Sequence, residues 1–328
     1  MTATHRQDRT FHPPADFCPL CPTRPGAFET EIPTPDYDIA VFQNKFPSFR
    51  PDAGAPDVEG DELTPVAPSQ GDCEVVVYSS NHTSTLADEP VEQIEKLVQV
   101  WQDRYRELGA RKEINYVLIF ENKGDVIGVT LAHPHGQIYA FPFIPPIPGR
   151  ELANMQKAWK KTERCLLCDV LRRERRQKQR VVYENEAFTA IIPFYARYPY
   201  EVHLMPRRHR GDILAFTAKE RTLLADALKR VTRGYDQLFG FSFPYMMLLH
   251  QQPTDGKPYP YFHFHIEFLP PYRTAQKLKY LAGCESGAGT YINDTLAEEK
   301  AVELRAAIAE AAQADGAAAA AGAGAGKA

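Results

Sequence analysis

The spacing of apolar residues changes several times along the chain, and each change marks an element. Residues 1–70 are rich in Pro, Asp and Gly and read as loop, apart from a short extended run at Ile39–Phe42. Glu74–Tyr78 is a β-branched run and predicts a buried strand. From Pro90 the apolar residues take helical spacing: Val91, Ile94, Leu97, Trp101, Tyr105 and Leu108. They predict a helix over 90–108, with Pro90 in its first turn and Gly109 as its stop. Tyr116–Phe120 is a further strand, closed by a turn at Asn122–Asp125. The same order then returns. Val181–Tyr183, Thr189–Ile192 and Glu201–Met205 read as strands. Thr217 with Glu220 forms a capping box, and Leu224, Ala227, Leu228, Val231, Tyr235 and Leu238 carry the helix on to Gly240. Tyr245–Leu249 is a strand, and a last helix covers roughly 295–313. Residues 316–328 are Ala or Gly except Lys327, which predicts a disordered tail.

The polar residues with chemistry repeat in step with these elements. One set is Cys18-x-x-Cys21, His82 and His133-Pro134-His135-Gly136-Gln137. The other is Cys165-x-x-Cys168, His209 and His263-Phe264-His265-Ile266-Glu267. The counterparts lie 147, 127 and 130 residues apart, and each half places a long helix between its single His and its H-x-H. One half has been duplicated. The halves are expected at 1–150 and 151–315, with the tail at 316–328. If the H-x-H segments are strands, His263, His265 and Glu267 share one face, and Phe264, Ile266 and Phe268 face a core. Pro134 cannot donate to a ladder, so its segment is expected at an edge or irregular.

Length and composition set limits. At 328 residues the chain spans about two domain equivalents. With 44% hydrophobic and 24% charged residues it is globular, not disordered. A net charge of −4 does not suit a chain that coats nucleic acid or an anionic membrane. No apolar run reaches the ~20 residues of a membrane span, and Met1–Phe17 lacks the apolar core of a signal peptide. A cytoplasmic location is expected. The basic stretch 160–180 has no interleaved aromatics and reads as a solvated helix face.

Two thiolates and two imidazoles make a tetrahedral zinc set. The repeat assigns Cys18, Cys21, His82 and His133 to one centre, and Cys165, Cys168, His209 and His263 to a second. An isolated C-x-x-C is as readily a redox pair; two pairs with matching His partners favour metal. Four protein ligands leave no open position, so both centres are structural. If His133 is locked on zinc, His135 is the next residue on that face, held but unligated. A neutral imidazole is a nucleophile toward phosphorus. Gly136 lets backbone approach a phosphate, and Gln137 donates to a non-bridging oxygen. Gln137 cannot protonate a leaving group, so the site favours leaving groups such as phosphates.

These residues resemble the galactose-1-phosphate uridylyltransferase family of the histidine-triad superfamily. The resemblance spans roughly residues 4–310. It rests on His5–Arg9, Cys18–Cys21, Val41–Phe46, Phe120–Gly124, His133–Ala140, Ser242–Tyr245 and Phe268–Pro271. It implies an α+β fold: a duplicated histidine-triad-like antiparallel sheet or half-barrel with flanking helices. It also implies a ping-pong exchange of UMP between UDP-glucose and galactose 1-phosphate. His135 would carry the uridylyl group, Gln137 would hold the transferring phosphoryl, and Asn44 and Asn122 would contact the nucleotide. Gly128 and Thr130 would line the phosphate path, Thr130 standing where many members have Ser. Arg6 and Arg9 would reach substrate phosphates from the partner of a homodimer, and Lys279 would bind the hexose phosphate. Tyr291 stands near where many members have a sugar-contacting Gln. Family members start with an earlier strand, so the N-terminal subunit contacts are expected to differ. Some members hold iron or zinc with a Glu and several His residues. Glu151, His250, His265 and Glu267 fit that pattern as an alternative second centre, with zinc preferred over iron. The rival activities are an ADP-glucose or dinucleoside-polyphosphate phosphorylase, and a non-catalytic zinc-stabilised binding module.

Overall fold

The computed structural model describes residues 13–26 and 28–325. Arg6 and Arg9 lie outside the described residues. The first half runs β1 (Ala40–Gln43), β2 (Asp72–Val77), α1 (Val91–Gly109), β3 (Tyr116–Lys123) and β4 (His135–Phe141). Two helices follow, α2 (Pro146–Thr162) and α3 (Leu166–Gln177). The second half runs β5 (Val181–Glu184), β6 (Phe188–Ile191), β7 (Val202–Pro206), α4 (Ala218–Phe239), β8 (Tyr245–His250) and β9 (His265–Leu269). A small hairpin, β10 (Tyr272–Thr274) and β11 (Lys277–Leu278), leads to α5 (Gly283–Ala288) and α6 (Ala297–Ala325).

Nine strands form one antiparallel sheet in the order β1-β2-β4-β3-β8-β9-β7-β6-β5. The order is nearly palindromic about the β3–β8 pair. β4 and β9, the two H-x-H strands, are matched across it, as are β2 with β7 and β1 with β6. The duplication inferred from the Cys and His spacing is therefore built into the sheet as an approximate two-fold.

The helices obey the periodicity that predicts them. Ile94, Leu97, Val98, Trp101, Tyr105 and Leu108 of α1 are buried in the main core beside Leu224, Leu228, Val231 and Tyr235 of α4. The strands supply Val76, Val117, Ile119, Ile138, Leu204, Met247, Phe264, Ile266 and Phe268 to the same core. The Thr217 hydroxyl accepts from Glu220 N at 3.2 Å and the Glu220 carboxylate accepts from Thr217 N at 2.9 Å, closing the capping box. Gly240 ends α4 at φ +73°, a conformation glycine adopts without strain.

Three features differ from the sequence reading. β4 is not an edge strand: it lies between β2 and β3. Pro134 stands just before it, and its carbonyl accepts from Tyr78 N at 3.0 Å, so no missing donor is exposed inside the ladder. The last helix does not stop near 313 but continues to Ala325, through much of the segment expected to be disordered. Alanine is the strongest helix former, and composition alone hides that. Third, α2 buries only Pro148, Leu152 and Met155, a stripe too thin to announce a helix by period.

The two faces of the sheet have different fates in the two halves. The α1, α4 and α6 side is the main core. In the second half the other side is covered by α2 and α3, through Leu152, Met155, Leu167 and Leu171 against Ile191, Met205 and Phe262. In the first half that side carries His135 and Gln137.

Candidate active site and metal centres

Residues 18–21 form a turn ahead of β1, packed through Leu20 onto Val75 and Val77 of β2. The turn faces His82, in the loop after β2, and His133, just before β4. The Cys21 Sγ is 3.4 Å from both His82 Nδ1 and His133 Nδ1, and the Cys18 Sγ is 3.9 Å from His133 Nδ1. Around a tetrahedral ion, sulfur at about 2.3 Å and nitrogen at about 2.0 Å stand about 3.5 Å apart, so the spacing suits one zinc-sized cation. Burial pushes both thiols up, Cys21 to about 12, so the thiolate needs a neighbouring cation to form. His133 is buried and pushed down to about 4, which keeps it a neutral ligand. Its Nε2 donates to Ser79 O at 2.8 Å, leaving Nδ1 for the centre.

The second half repeats this. Cys168 Sγ lies 3.5 Å from His209 Nδ1 and 3.2 Å from His263 Nδ1, and Cys165 Sγ lies 3.7 Å from His263 Nδ1. His263 Nε2 faces Pro206 O at 2.9 Å, as His133 faces Ser79. The thiol of Cys165 is held well down by the proton on Cys168, which is pushed up in turn; the pair shares one proton.

The sequence reading sets Glu151, His250, His265 and Glu267 against that centre as an alternative. The structure places both sets apart, each with ligand atoms within 4.8 Å of one another. They do not compete for side chains: His263 belongs to the thiol set, and His265 and Glu267 to the carboxylate set.

His135 opens β4. Its Nδ1 donates to His133 O at 2.8 Å, which leaves Nε2 with the free lone pair. Burial lowers its basicity and keeps the ring neutral. Gln137 is two residues on, on the same face. Asn44, just past β1, donates to Gln137 Oε1 at 3.3 Å. A pocket beside His135 is lined by Asn122, Lys123, Gly124, Ser84 and Thr85, and by Ser242 and Pro244 from the second half. Gly128, at φ +90°, and Thr130 lie in the β3–β4 loop, whose Val129 and Leu131 line the same pocket.

Two sequence-stated roles change. Gly136 is not a phosphate approach. It is buried, and a Cβ there would lie 2.3 Å from the Tyr78 hydroxyl and 2.9 Å from Phe120 O. Lys279 does not line the His135 pocket: it is buried, with its Nζ 3.0 Å from Glu285 Oε1. Tyr291 lies against Tyr198 and under Arg197, also away from that pocket. Reasoning from sequence missed Tyr37, whose hydroxyl lies 3.1 Å from His133 Nε2 and donates to Leu20 O. It also missed Arg197, Glu201 and His203, although Glu201 and His203 alternate along a predicted strand.

No described helix is long and apolar enough to cross a membrane. The family model described as galactose-1-phosphate uridyl transferase, N-terminal domain, matches residues 2–145, and the corresponding C-terminal domain matches 151–315. A galactose-1-phosphate uridylyltransferase of Thermotoga maritima is 43% identical over 302 residues, covering 91% of this chain and 92% of its own. That of Haemophilus influenzae is 36% identical, covering 88% and 82%. A solved uridylyltransferase structure superposes with a TM-score of 0.83 at 35% identity, covering 94% of each chain. An ADP-glucose phosphorylase from Arabidopsis thaliana, at 23% identity and a TM-score of 0.72, shares the fold. The chain belongs to the galactose-1-phosphate uridylyltransferase family and is a transferase of galactose metabolism.

Proposed function

We propose that this chain exchanges UMP between UDP-glucose and galactose 1-phosphate through a uridylyl group carried on His135. The observation that carries this reading is the orientation of His135: its Nδ1 is committed to His133 O at 2.8 Å, so Nε2 is the nucleophile. Nε2 attacks the α-phosphorus of UDP-glucose. The P–N bond forms, and the bond from that phosphorus to the bridging oxygen breaks. Glucose 1-phosphate leaves with the electron pair and needs no proton. A phosphate oxygen of galactose 1-phosphate then attacks the same phosphorus, the P–N bond breaks, and UDP-galactose departs. Gln137, held by Asn44, donates its amide N–H to a non-bridging oxygen as charge builds there. Asn122 faces the nucleotide and Gly128 with Thr130 the phosphates.

Zinc in the Cys18, Cys21, His82, His133 set would fix the backbone carbonyl that orients His135; the Cys165, Cys168, His209, His263 set would do the same work for the second half. Both are structural. The two halves, 1–150 and 151–315, act as one cytoplasmic enzyme. A homodimer would bring Arg6 and Arg9 of one protomer to the partner's substrate phosphates.

The test is intact mass after incubation with UDP-glucose alone. The expected result is a UMP adduct on the wild type, none on His135→Gly and none from ADP-glucose. An AMP adduct from ADP-glucose would move the chain to a phosphorylase acting on adenine nucleotides. No adduct from either nucleotide sugar on folded, zinc-loaded protein would sink the covalent mechanism.

A further inference from the structure

Alternation along β3 puts Ile119, Glu121 and Lys123 on one face of the sheet and Phe120 and Asn122 on the other. Ile119 belongs to the main core, so Glu121 stands where an apolar side chain is expected. It is buried, and it also lines the pocket beside His135. UMP transfer through His135 and Gln137 gives it no part.

The groups around Glu121 come from several elements. Tyr78, after β2, carries a buried hydroxyl without a hydrogen-bond partner, and Glu121 is the carboxyl that acts on it. The ring of Tyr78 packs on Trp101 of α1. Tyr245 of β8 donates to the Glu121 oxygens from 3.4 Å, a long bond. Lys123, two residues along β3, attracts the carboxylate, but its Nζ is taken by Asp236 of α4 at 3.0 Å. Asp236 also accepts from Phe243 N at 2.7 Å, beside Ser242 and Pro244 of the pocket wall. β4 meets the cluster through Gly136, which lies against the Tyr78 hydroxyl. Asp125, His133 and His135 are the other ionisable residues that line the pocket.

With both carboxyls ionised, Glu121 and Asp236 outnumber the ammonium of Lys123 in a space closed to water. Asp236 holds that ammonium directly, so Glu121 is the carboxyl that keeps a proton. Burial pushes it up to about 7. A protonated Glu121 can donate to the Tyr78 oxygen and so supply the partner that hydroxyl lacks. An anion in the pocket acts on this balance. The diphosphate of UDP-glucose carries a charge on each phosphate, and its field favours the neutral carboxyl over the ionised one. The proton is held more tightly with the diphosphate present, and by reciprocity the diphosphate is held more tightly with the proton present.

We propose that Glu121 is a positioning residue of the uridylyl site: it holds a proton with Tyr78 beneath Gly136, so that the pocket wall is neutral when the diphosphate binds. Substrate and proton bind together. The proposal rests on the reading that this pocket takes the diphosphate of UDP-glucose.

The test is calorimetric titration of UDP-glucose into the full, zinc-loaded chain carrying His135→Asn, which removes the nucleophile and one titratable ring. Repeating it in buffers of different ionisation enthalpy gives the protons taken up from the buffer. The expected result is uptake of a fraction of a proton near neutral pH, and an affinity about tenfold weaker at about pH 8.5 than at about pH 6. Adding Glu121→Gln, which keeps the shape and cannot ionise, abolishes the uptake and holds the affinity level across that range. Adding Asp236→Asn frees Lys123 to face Glu121 and moves the inflection to lower pH. Should the Glu121→Gln chain not fold by circular dichroism, Asp236→Asn decides. Uptake that persists in Glu121→Gln overturns the proposal, as does an unmoved inflection in Asp236→Asn. Binding that is independent of pH overturns it too and leaves the UMP-transfer reading standing. No binding of UDP-glucose at any pH overturns that reading and the proposal with it.

Discussion

Gly136 separates the nucleophile from the amide that assists it, and the missing side chain is what allows both to face one way. The Tyr78 hydroxyl fills the space a Cβ would need. Gly136→Ala therefore has to move either a buried tyrosine or the Phe120 carbonyl of the neighbouring strand. The expected outcome is a loss of about 1–3 kcal/mol in urea unfolding and a fall in the rate of adduct formation. Tyr78→Phe in the same chain should recover part of the rate by removing the closer clash. Beneath the same strand, Glu121 is buried beside the hydroxyl of Tyr245, and burial pushes its carboxyl up to about 7. A carboxyl raised above its ordinary value near 4.5 holds more protons folded than unfolded between those two values, so stability falls as pH rises through that window. Glu121→Gln should be more stable than wild type by about 1–3 kcal/mol at pH 8 and equal to it near pH 4.5, read from urea titrations at both. The grouping of the eight Cys and His into two sets, and the place of His135 and Gln137 two apart on one strand, were legible in the sequence because spacing groups them. Glu121, Tyr78 and Tyr37 were not, because nothing in a lone Glu or Tyr reveals which strand will lie beside it.

At the scale of elements, legibility followed the strength of the local signal. The helix α4 carries a capping box, a wide apolar stripe and a glycine stop, and all three are found where the sequence puts them. The helices α2 and α3 bury few residues each, and their exposed faces are basic, so period says little. They nonetheless distinguish the halves, since they close over the face of β9 that its counterpart β4 leaves open. The cap of α4 gives a clean test. Glu220 is tied both to Thr217 and to Arg210, so the N-terminus of the helix also anchors the segment that carries His209. Thr217→Ala should cost about 0.5–2 kcal/mol, measured by thermal unfolding. Gly240→Ala at the other end should cost about 1 kcal/mol through its positive φ, with no effect on metal content.

At the scale of the molecule, the halves are copies in sequence but not independent in structure. β3 and β8 are joined along Ile119–Lys123 and Tyr245–Leu249, and a single core takes residues from α1, α4 and α6 together. Separating the halves would expose the long β3 edge, strip α1 of its neighbour α4, and open a pocket whose walls include Ser242 and Pro244. An unpaired apolar edge of that kind aggregates or stays unfolded. Expressed alone, residues 1–150 should give no dispersed amide spectrum even with zinc, and co-expression with 151–328 should restore both fold and adduct formation. The proposed metal centres would act at this scale too. Structural zinc contributes about 10–16 kcal/mol in small domains, against total stabilities of about 5–15 kcal/mol. Cys18→Ser should therefore detach the turn over β2 and abolish the adduct at His135, although Cys18 touches no substrate. If that variant labelled normally with UDP-glucose, the carbonyl of His133 would not depend on the metal for its position, and the link from metal to nucleophile would have to be dropped.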